Sequence, residues 1–348
     1  MKRVLLVGAG TIGTSWATFF LTRGLDVYLY DVDEKRLAAA AGRIEGQIET
    51  LVRGGLMPGP GHDAQEPTRE PDGQATTQSA SAITHEADTR ATTQQTDARD
   101  TARQALARLA TTTEIARAKD VDFVQENGPE DYDVKAAIFA ELDRLIDPAV
   151  PVASSSSGLL ISRLQERVRF PRRYLIAHPF NPPHLIPLVE LVPGPQTEAE
   201  IVEAVRSAFV RWGKTPVTLN AEVPGHIANR LAAALWREAI ALVERGVASV
   251  ADIDRAVTAG LGVRWSIMGP HLTYHLGGGD GGIRQFWHHL GPAFESYFAD
   301  LSPLKTLAPE TLDSIERGLA AETGERSVAE LAAWRDEKLI RVLRALSE

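Results

Sequence analysis

Apolar and polar positions divide this chain into an alternating first part and a uniformly helical second part. Val4 to Val7 is an unbroken apolar run, the mark of a parallel strand buried on both faces. Ile12, Trp16, Phe19 and Phe20 then recur at helical spacing until Gly24 stops the helix, and Val27 to Tyr30 predicts a second strand. Asp33 caps a helix whose apolar stripe runs through Leu37, Ile44, Ile48 and Leu51. Further on, the segments Val121 to Gln125, Pro151 to Ser154 and Pro216 to Leu219 read as strands. Ala102 to Leu109, Val134 to Leu145 and Glu198 to Trp212 read as helices. After Pro224-Gly225 the spacing is helical to the end, over His226–Val243, Asp252–Ala259, Gln285–Phe298 and Val328–Leu346. The expected fold is α/β, a Rossmann-type doubly wound sheet over residues 1–223 followed by an all-α domain over 224–348.

One stretch breaks the pattern. From Pro58 to Asp100 the only large aliphatic residue is Ile83, and no aromatic occurs. Such a segment buries too little apolar surface to offset the entropy of ordering. It is expected to be a disordered or loosely ordered insertion in the first domain, with a docking role as the alternative.

Composition narrows the function classes. A formal charge of −9 gives no reason to expect nucleic acid or an anionic membrane as partner. With no cysteine, thiolate catalysis, disulfides and Cys-ligated metals are excluded. Met1-Lys2-Arg3 before an apolar run imitates a signal peptide, but Gly8, Gly10 and Gly13 interrupt it and lead into a strand–turn–helix pattern. No stretch reaches the roughly 18 apolar residues a membrane helix needs. The protein is expected to be soluble and cytoplasmic.

Gly8-Ala9-Gly10-Thr11-Ile12-Gly13 is a G-x-G-x-x-G with a strand before it, a helix after it and Asp31 at the end of the second strand. In that context the glycines permit a tight turn and close approach of a pyrophosphate to the helix N-terminus. Asp31 is placed to bond the adenine-ribose hydroxyls and to repel a 2′-phosphate, which predicts NAD. Gly8, Gly10, Ile12, Gly13 and Asp31 form the candidate cofactor side.

Ala177 to Leu191, AHPFNPPHLIPLVEL, holds His178 and, twelve residues on, Glu190. Asn181-Pro182-Pro183 imposes a turn, and Leu185 to Val192 alternates as a returning strand would. If the two face each other, the carboxylate fixes the imidazole tautomer and leaves the other nitrogen as acid or base. A surface histidine and an unrelated strand-end glutamate fit the same residues. Ser154 to Ser157 follows a strand's carboxyl end, where open α/β sheets bind ligands, although a polar loop has the same composition.

AHPFNPP followed by LVELV, GKTPV and PGHIANRL resembles the 3-hydroxyacyl-CoA dehydrogenase superfamily over nearly the whole chain, apart from the insertion. The resemblance is nearest the branch of λ-crystallin, L-gulonate 3-dehydrogenase and L-carnitine dehydrogenase. It implies that His178 is the catalytic base, Glu190 its partner, and Ser157 a serine serving cofactor and substrate. It also implies that Glu126 and Asn181 lie near the nicotinamide, that Asn229 faces the active site from the second domain, and that the helical domain builds a homodimer. The active site is then expected in the cleft between the domains.

The implied reaction is reversible oxidation of a secondary alcohol by NAD, with no metal. Acyl-CoA members offer serine and lysine to the CoA phosphates after the second strand, where this chain has Gln47 and Gly54. A small free 3-hydroxy acid is therefore the expected substrate, 3-hydroxyacyl-CoA the alternative, and Arg264 the candidate cation for the acid's carboxylate. A structural crystallin-like role or NAD sensing is the non-enzymatic alternative, against which His178, Glu190, Ser157 and Asn229 all argue. His271 and His275 have a zinc-compatible spacing with no third ligand beside them, and Gly277 to Gly282 reads as a flexible connector.

Overall fold

The computed structural model describes residues 1–57 and 87–347, with side chains left aside from 87 to 96. The chain forms two compact units, Met1–Ile227 with Leu339–Arg341, and Ala228–Lys338 with Val342–Glu348.

Among the described residues the first unit holds an eight-stranded sheet. Its strands are β1 (Arg3–Val7), β2 (Asp26–Tyr30), β3 (Leu109–Thr112), β4 (Phe123–Glu126), β5 (Val152–Ser154), β6 (Tyr174–Pro179), β7 (Leu188–Pro193) and β8 (Thr215–Thr218). They lie in the order β3-β2-β1-β4-β5-β6-β7-β8. Every neighbouring pair is parallel except β6 and β7, which run antiparallel. The helices are α1 (Thr11–Leu21), α2 (Glu34–Arg53), α3 (Ala87–Leu106), α4 (Tyr132–Leu145), α5 (Ile161–Gln165) and α6 (Ala199–Arg211).

The sheet explains why β1 is apolar without interruption. Val4 and Leu6 pack on one face with Trp16, Phe20, Leu37 and Phe209, while Leu5 and Val7 pack on the other with Phe139, Leu142, Ile161 and Leu164. Helices thus cover both faces, and neither phase of the strand can be polar. Trp16 stacks on Phe20 one turn further along α1 at 5.4 Å between centroids, and its ring lies 5.7 Å from that of Phe209 on α6, which ties the two helices together.

Between residues 87 and 112 the structure departs from expectation at two places. A lack of large apolar residues argues for loose order up to Asp100, yet the chain is helical from Ala87. Ala98, Ala102 and Ala105 are buried at helical spacing, and α3 packs against α2. Small side chains let the two helices approach, so burial needs no large residue. The helix ends at Leu106, and Leu109–Thr112 is the edge strand β3 rather than a continuation of the helix. Residues 58–86 of the expected insertion lie outside the described residues.

The return from β6 to β7 passes a cis Asn181–Pro182 bond, and the Leu185 and Ile186 N–H groups both donate to the Pro182 carbonyl at 3.0 Å. This turn occupies Leu185 to Pro187, so β7 begins at Leu188. Lys214 braces it from within: its buried Nζ donates to the Pro183 carbonyl and, at 2.7 Å, to that of Ile186.

The second unit contains α7 (Ala228–Glu244), α8 (Val250–Ala256), α9 (Gly262–Trp265), α10 (Pro270–Gly277), α11 (Gly282–Asp300), α12 (Pro309–Thr323) and α13 (Val328–Ser347) apart from Leu339–Arg341. Gly277 to Gly282 is a tight junction between α10 and α11 rather than a loose connector. A Cβ on Gly278 would lie 1.8 Å from the Gly282 carbonyl oxygen, and Gly282 has φ +58°. His275 serves the same junction, its Nδ1 accepting the Ile283 N–H at 3.3 Å.

Candidate active site

The candidate residues of the first unit gather at the carboxyl ends of its parallel strands. Gly8 leaves β1 with φ +99°, and a Cβ there would lie 2.9 Å from the Asn127 carbonyl oxygen. A Cβ on Gly13 would lie 1.8 Å from the Gly8 carbonyl oxygen, so α1 meets the turn this closely only as glycine. Gly10 caps α1 with no side-chain bond, and open space surrounds its Cβ position. The first-turn N–H groups of α1 are left to an outside acceptor. Ile12 is half-buried and packs on the core.

Asp31 closes this side. Its Oδ2 accepts the Ala9 N–H at 2.8 Å and its Oδ1 the Asp33 N–H at 3.0 Å. A carboxylate has about four acceptor positions, so capacity remains for two ribose hydroxyls. Arg43, missed in the sequence, reaches from α2 to the Ala9 carbonyl at 2.9 Å. Uncapped helix N–H groups, the space beside Gly10 and the half-used Asp31 carboxylate fit a dinucleotide.

Glu126 is fully buried at the end of β4 and already occupied. The Lys135 ammonium lies 2.9 and 2.8 Å from its two oxygens, and the Ser154 hydroxyl donates to Oε2 at 2.6 Å. Nothing in the sequence marked Lys135, which sits in a helix stripe where a lysine ordinarily faces solvent.

The serine run divides its labour. Ser155 accepts from Trp16 Nε1 at 3.1 Å and Gln125 Nε2 at 2.8 Å, and donates to Asn127 Oδ1 at 2.8 Å. Glu130 Oε1 collects the Ser156 hydroxyl at 2.7 Å and the N–H groups of Ser157 at 2.9 Å, Gly158 at 2.7 Å and Leu159 at 3.3 Å. Burial alone would raise the Glu130 carboxyl, but the Ser156 hydroxyl, these N–H groups and the Lys135 charge hold it below the usual range. Ser157 is the most exposed of the four serines.

His178 and Glu190 stand opposite each other in the antiparallel register of β6 and β7. His178 Nδ1 lies 2.9 Å from Glu190 Oε2, and both residues are buried. The second oxygen, Oε1, accepts the Ile227 N–H at 2.8 Å. With both oxygens accepting, the carboxylate requires a proton on Nδ1, which leaves Nε2 with the lone pair. Of the two readings the residues allowed, the fold makes the one in which they meet.

Beside this pair lies a second imidazole the sequence did not flag. His226 is 2% exposed, and its ring centroid is 5.0 Å from that of His178. Burial, with the neighbouring His178, holds its pKa below the ordinary histidine value against the opposing pull of the Ser156 carbonyl.

The other sequence candidates are Asn181 in the first unit and Asn229 and Arg264 in the second. Asn181 is exposed in the cis turn. Asn229 is half-buried in the first turn of α7, and Arg264 is exposed in α9.

The pattern of the 3-hydroxyacyl-CoA dehydrogenase NAD binding domain matches residues 3–70 and 68–223, and that of the C-terminal domain matches 225–330. L-carnitine dehydrogenase of a Pseudomonas species is 37% identical over 99% of this chain and 94% of its own length. The Streptomyces coelicolor L-carnitine dehydrogenase is also 37% identical, over 99% and 95%. Among solved structures, 5-formyl-3-hydroxy-2-methylpyridine 4-carboxylic acid 5-dehydrogenase, an NAD+-dependent dismutase, superposes with a TM-score of 0.74 at 26% identity over 100% of this chain and 99% of that one. FadB2 of M. tuberculosis gives 0.63 at 28% identity, over 91% and 94%.

Proposed function

The chain belongs to the 3-hydroxyacyl-CoA dehydrogenase family, and from that premise we propose that its substrate is a small free L-3-hydroxy acid of the carnitine type. The protein is an NAD-dependent oxidoreductase that converts a 3-hydroxyl to a ketone, reversibly. The observation that carries the chemistry is the buried 2.9 Å contact of His178 Nδ1 with Glu190 Oε2.

Glu190 holds the His178 Nδ1–H, so Nε2 is the nitrogen that takes the substrate's hydroxyl proton. The bound cofactor supplies the hydride acceptor for the hydrogen leaving the same carbon. The proton on Nε2 makes an imidazolium, which the Glu190 carboxylate stabilises before the proton passes to solvent. Ser157 and Asn229 donate hydrogen bonds to the substrate oxygen as its charge changes. Glu126 and Asn181 serve the nicotinamide side, Glu126 with its carboxylate fixed in place by Lys135.

A free acid is favoured over a CoA thioester by the relatives and by two residues. Gln47 is taken up by the Thr18 hydroxyl at 2.5 Å, and Gly54 caps α2 without a side chain, so neither offers a cation or hydroxyl to a CoA phosphate. Arg264 provides the cation for the acid's carboxylate. The working form in this reading is a cytoplasmic homodimer.

Purified protein with NAD+ and, in turn, L-carnitine, L-gulonate, 3-hydroxybutyrate and 3-hydroxybutyryl-CoA tests the proposal. A free acid should give the highest kcat/KM. The thioester being the better substrate would transfer the assignment to the acyl-CoA branch.

A further inference from the structure

We infer that His226 is a positioning residue, which sets the serine loop against the His178–Glu190 pair and does so as a neutral imidazole protonated on Nε2. The inference rests on the dehydrogenase reading of that pair.

The local sequence explains how a histidine comes to stand there. Pro224 and Gly225, with Gly225 at φ +78°, occupy the centre of a turn closed by the His226 N–H donating to the Val223 carbonyl at 3.0 Å. Proline suits the first central position of such a turn and glycine the second. His226 follows with φ +52°, a left-handed conformation that histidine adopts more readily than most residues with a Cβ. Two successive left-handed residues turn the chain inward and bury the ring.

From that position two adjacent residues grip two different elements of the site. His226 Nε2 lies 3.0 Å from the Ser156 carbonyl, and the Ile227 N–H donates to Glu190 Oε1 at 2.8 Å. A carbonyl only accepts, so Nε2 carries the proton. Ser156 is therefore held from opposite directions: its hydroxyl by Glu130 and its carbonyl by His226. Ser157, next in the chain, inherits its position from both. Serine loop and acid–base pair are thus referenced to one dipeptide.

The tautomer follows from what surrounds the ring. His226 Nδ1 is buried and, among the described residues, has no hydrogen-bond partner. A proton there would place a buried N–H without an acceptor and a second positive charge beside the ring that takes the substrate's proton. The facing charged or titratable groups are His178 on β6, Glu190 on β7 and Glu130 after β4. The two carboxylates are engaged, Glu190 by His178 and Ile227, Glu130 by the serine loop. The two imidazoles consequently carry opposite tautomers, His178 with its proton on Nδ1 and His226 with its proton on Nε2. His178 is then the member of the pair that changes charge during turnover.

The test has two arms on the full-length protein saturated with NAD+. In the first, long-range 1H–15N correlation of the histidine rings is followed from about pH 5 to pH 8, the range in which an ordinary histidine titrates. His226 should remain neutral with its proton on Nε2 down to a lower pH than an ordinary histidine. Titration near pH 6.5, or a proton on Nδ1, overturns the inference.

In the second arm His226→Phe keeps the ring and loses the donor. It should lower kcat about tenfold to a hundredfold, the scale of a small misplacement of reacting groups, with KM for NAD+ unchanged. His226→Asn, which tolerates the left-handed conformation and restores an N–H, should recover part of that loss. Unchanged kcat in His226→Phe overturns the inference while leaving the dehydrogenase reading intact. Full kcat in His178→Gln would instead remove the reading itself. If His226→Phe does not fold, the ring tautomer in the unsubstituted protein still decides.

Discussion

Lys135 Nζ lies 2.8 Å from Glu126 Oε2, with neither side chain more than 1% exposed. The pair locks the end of β4 to α4 at the rim of the candidate cofactor side. Removing one member strands the other charge in the interior. Lys135→Met should therefore cost about 3–5 kcal/mol of stability, measured by urea denaturation. Adding Glu126→Gln to it removes the stranded charge and should recover much of the loss. A double variant no more stable than Lys135→Met would contradict this account.

Asp31 bonds the Ala9 N–H as well as standing where a ribose is expected. Its charge opposes a 2′-phosphate. The unsubstituted protein should prefer NAD+ to NADP+, and Asp31→Ala should narrow the gap in kcat/KM while weakening NAD+ itself. Equal turnover with both cofactors before any substitution would refute the assignment.

Arg264 is exposed on α9. If it meets the substrate carboxylate through two parallel hydrogen bonds, Arg264→Met should raise KM for the best free acid about tenfold or more, roughly 1.4 kcal/mol per decade. Turnover of 3-hydroxybutyryl-CoA, which has no such carboxylate, should change far less. Equal effects on both would assign Arg264 a structural part.

What the sequence disclosed depends on how local each signal is. The glycine turn was legible because strand, turn, helix and acid all lie within Val4 to Asp31. His178 and Glu190 were legible as candidates, but their meeting depends on the antiparallel register of β6 and β7, which the residues alone left open. Helix α3 was legible only from Ala102 on, because it packs through alanines. Helix α12 fell within a stretch read only as helical in general, and the close approach of Gly318, where a Cβ would fall 2.3 Å from the Val250 side chain, depends on packing within the second unit that the sequence does not show. His226 was hidden for a different reason: after Pro-Gly it reads as the first residue of the long helix, whereas the helix begins at Ala228, and its partner Ser156 is seventy residues away.

In the proposed mechanism His178, oriented by Glu190, is the base that takes the substrate's proton. Steady-state NADH formation from the best free hydroxy acid, compared between the unsubstituted protein and His178→Gln, tests it most directly. His178→Gln should lower kcat by roughly 10²–10⁴, with NAD+ affinity nearly unchanged. A His178→Gln variant that keeps full kcat would contradict it.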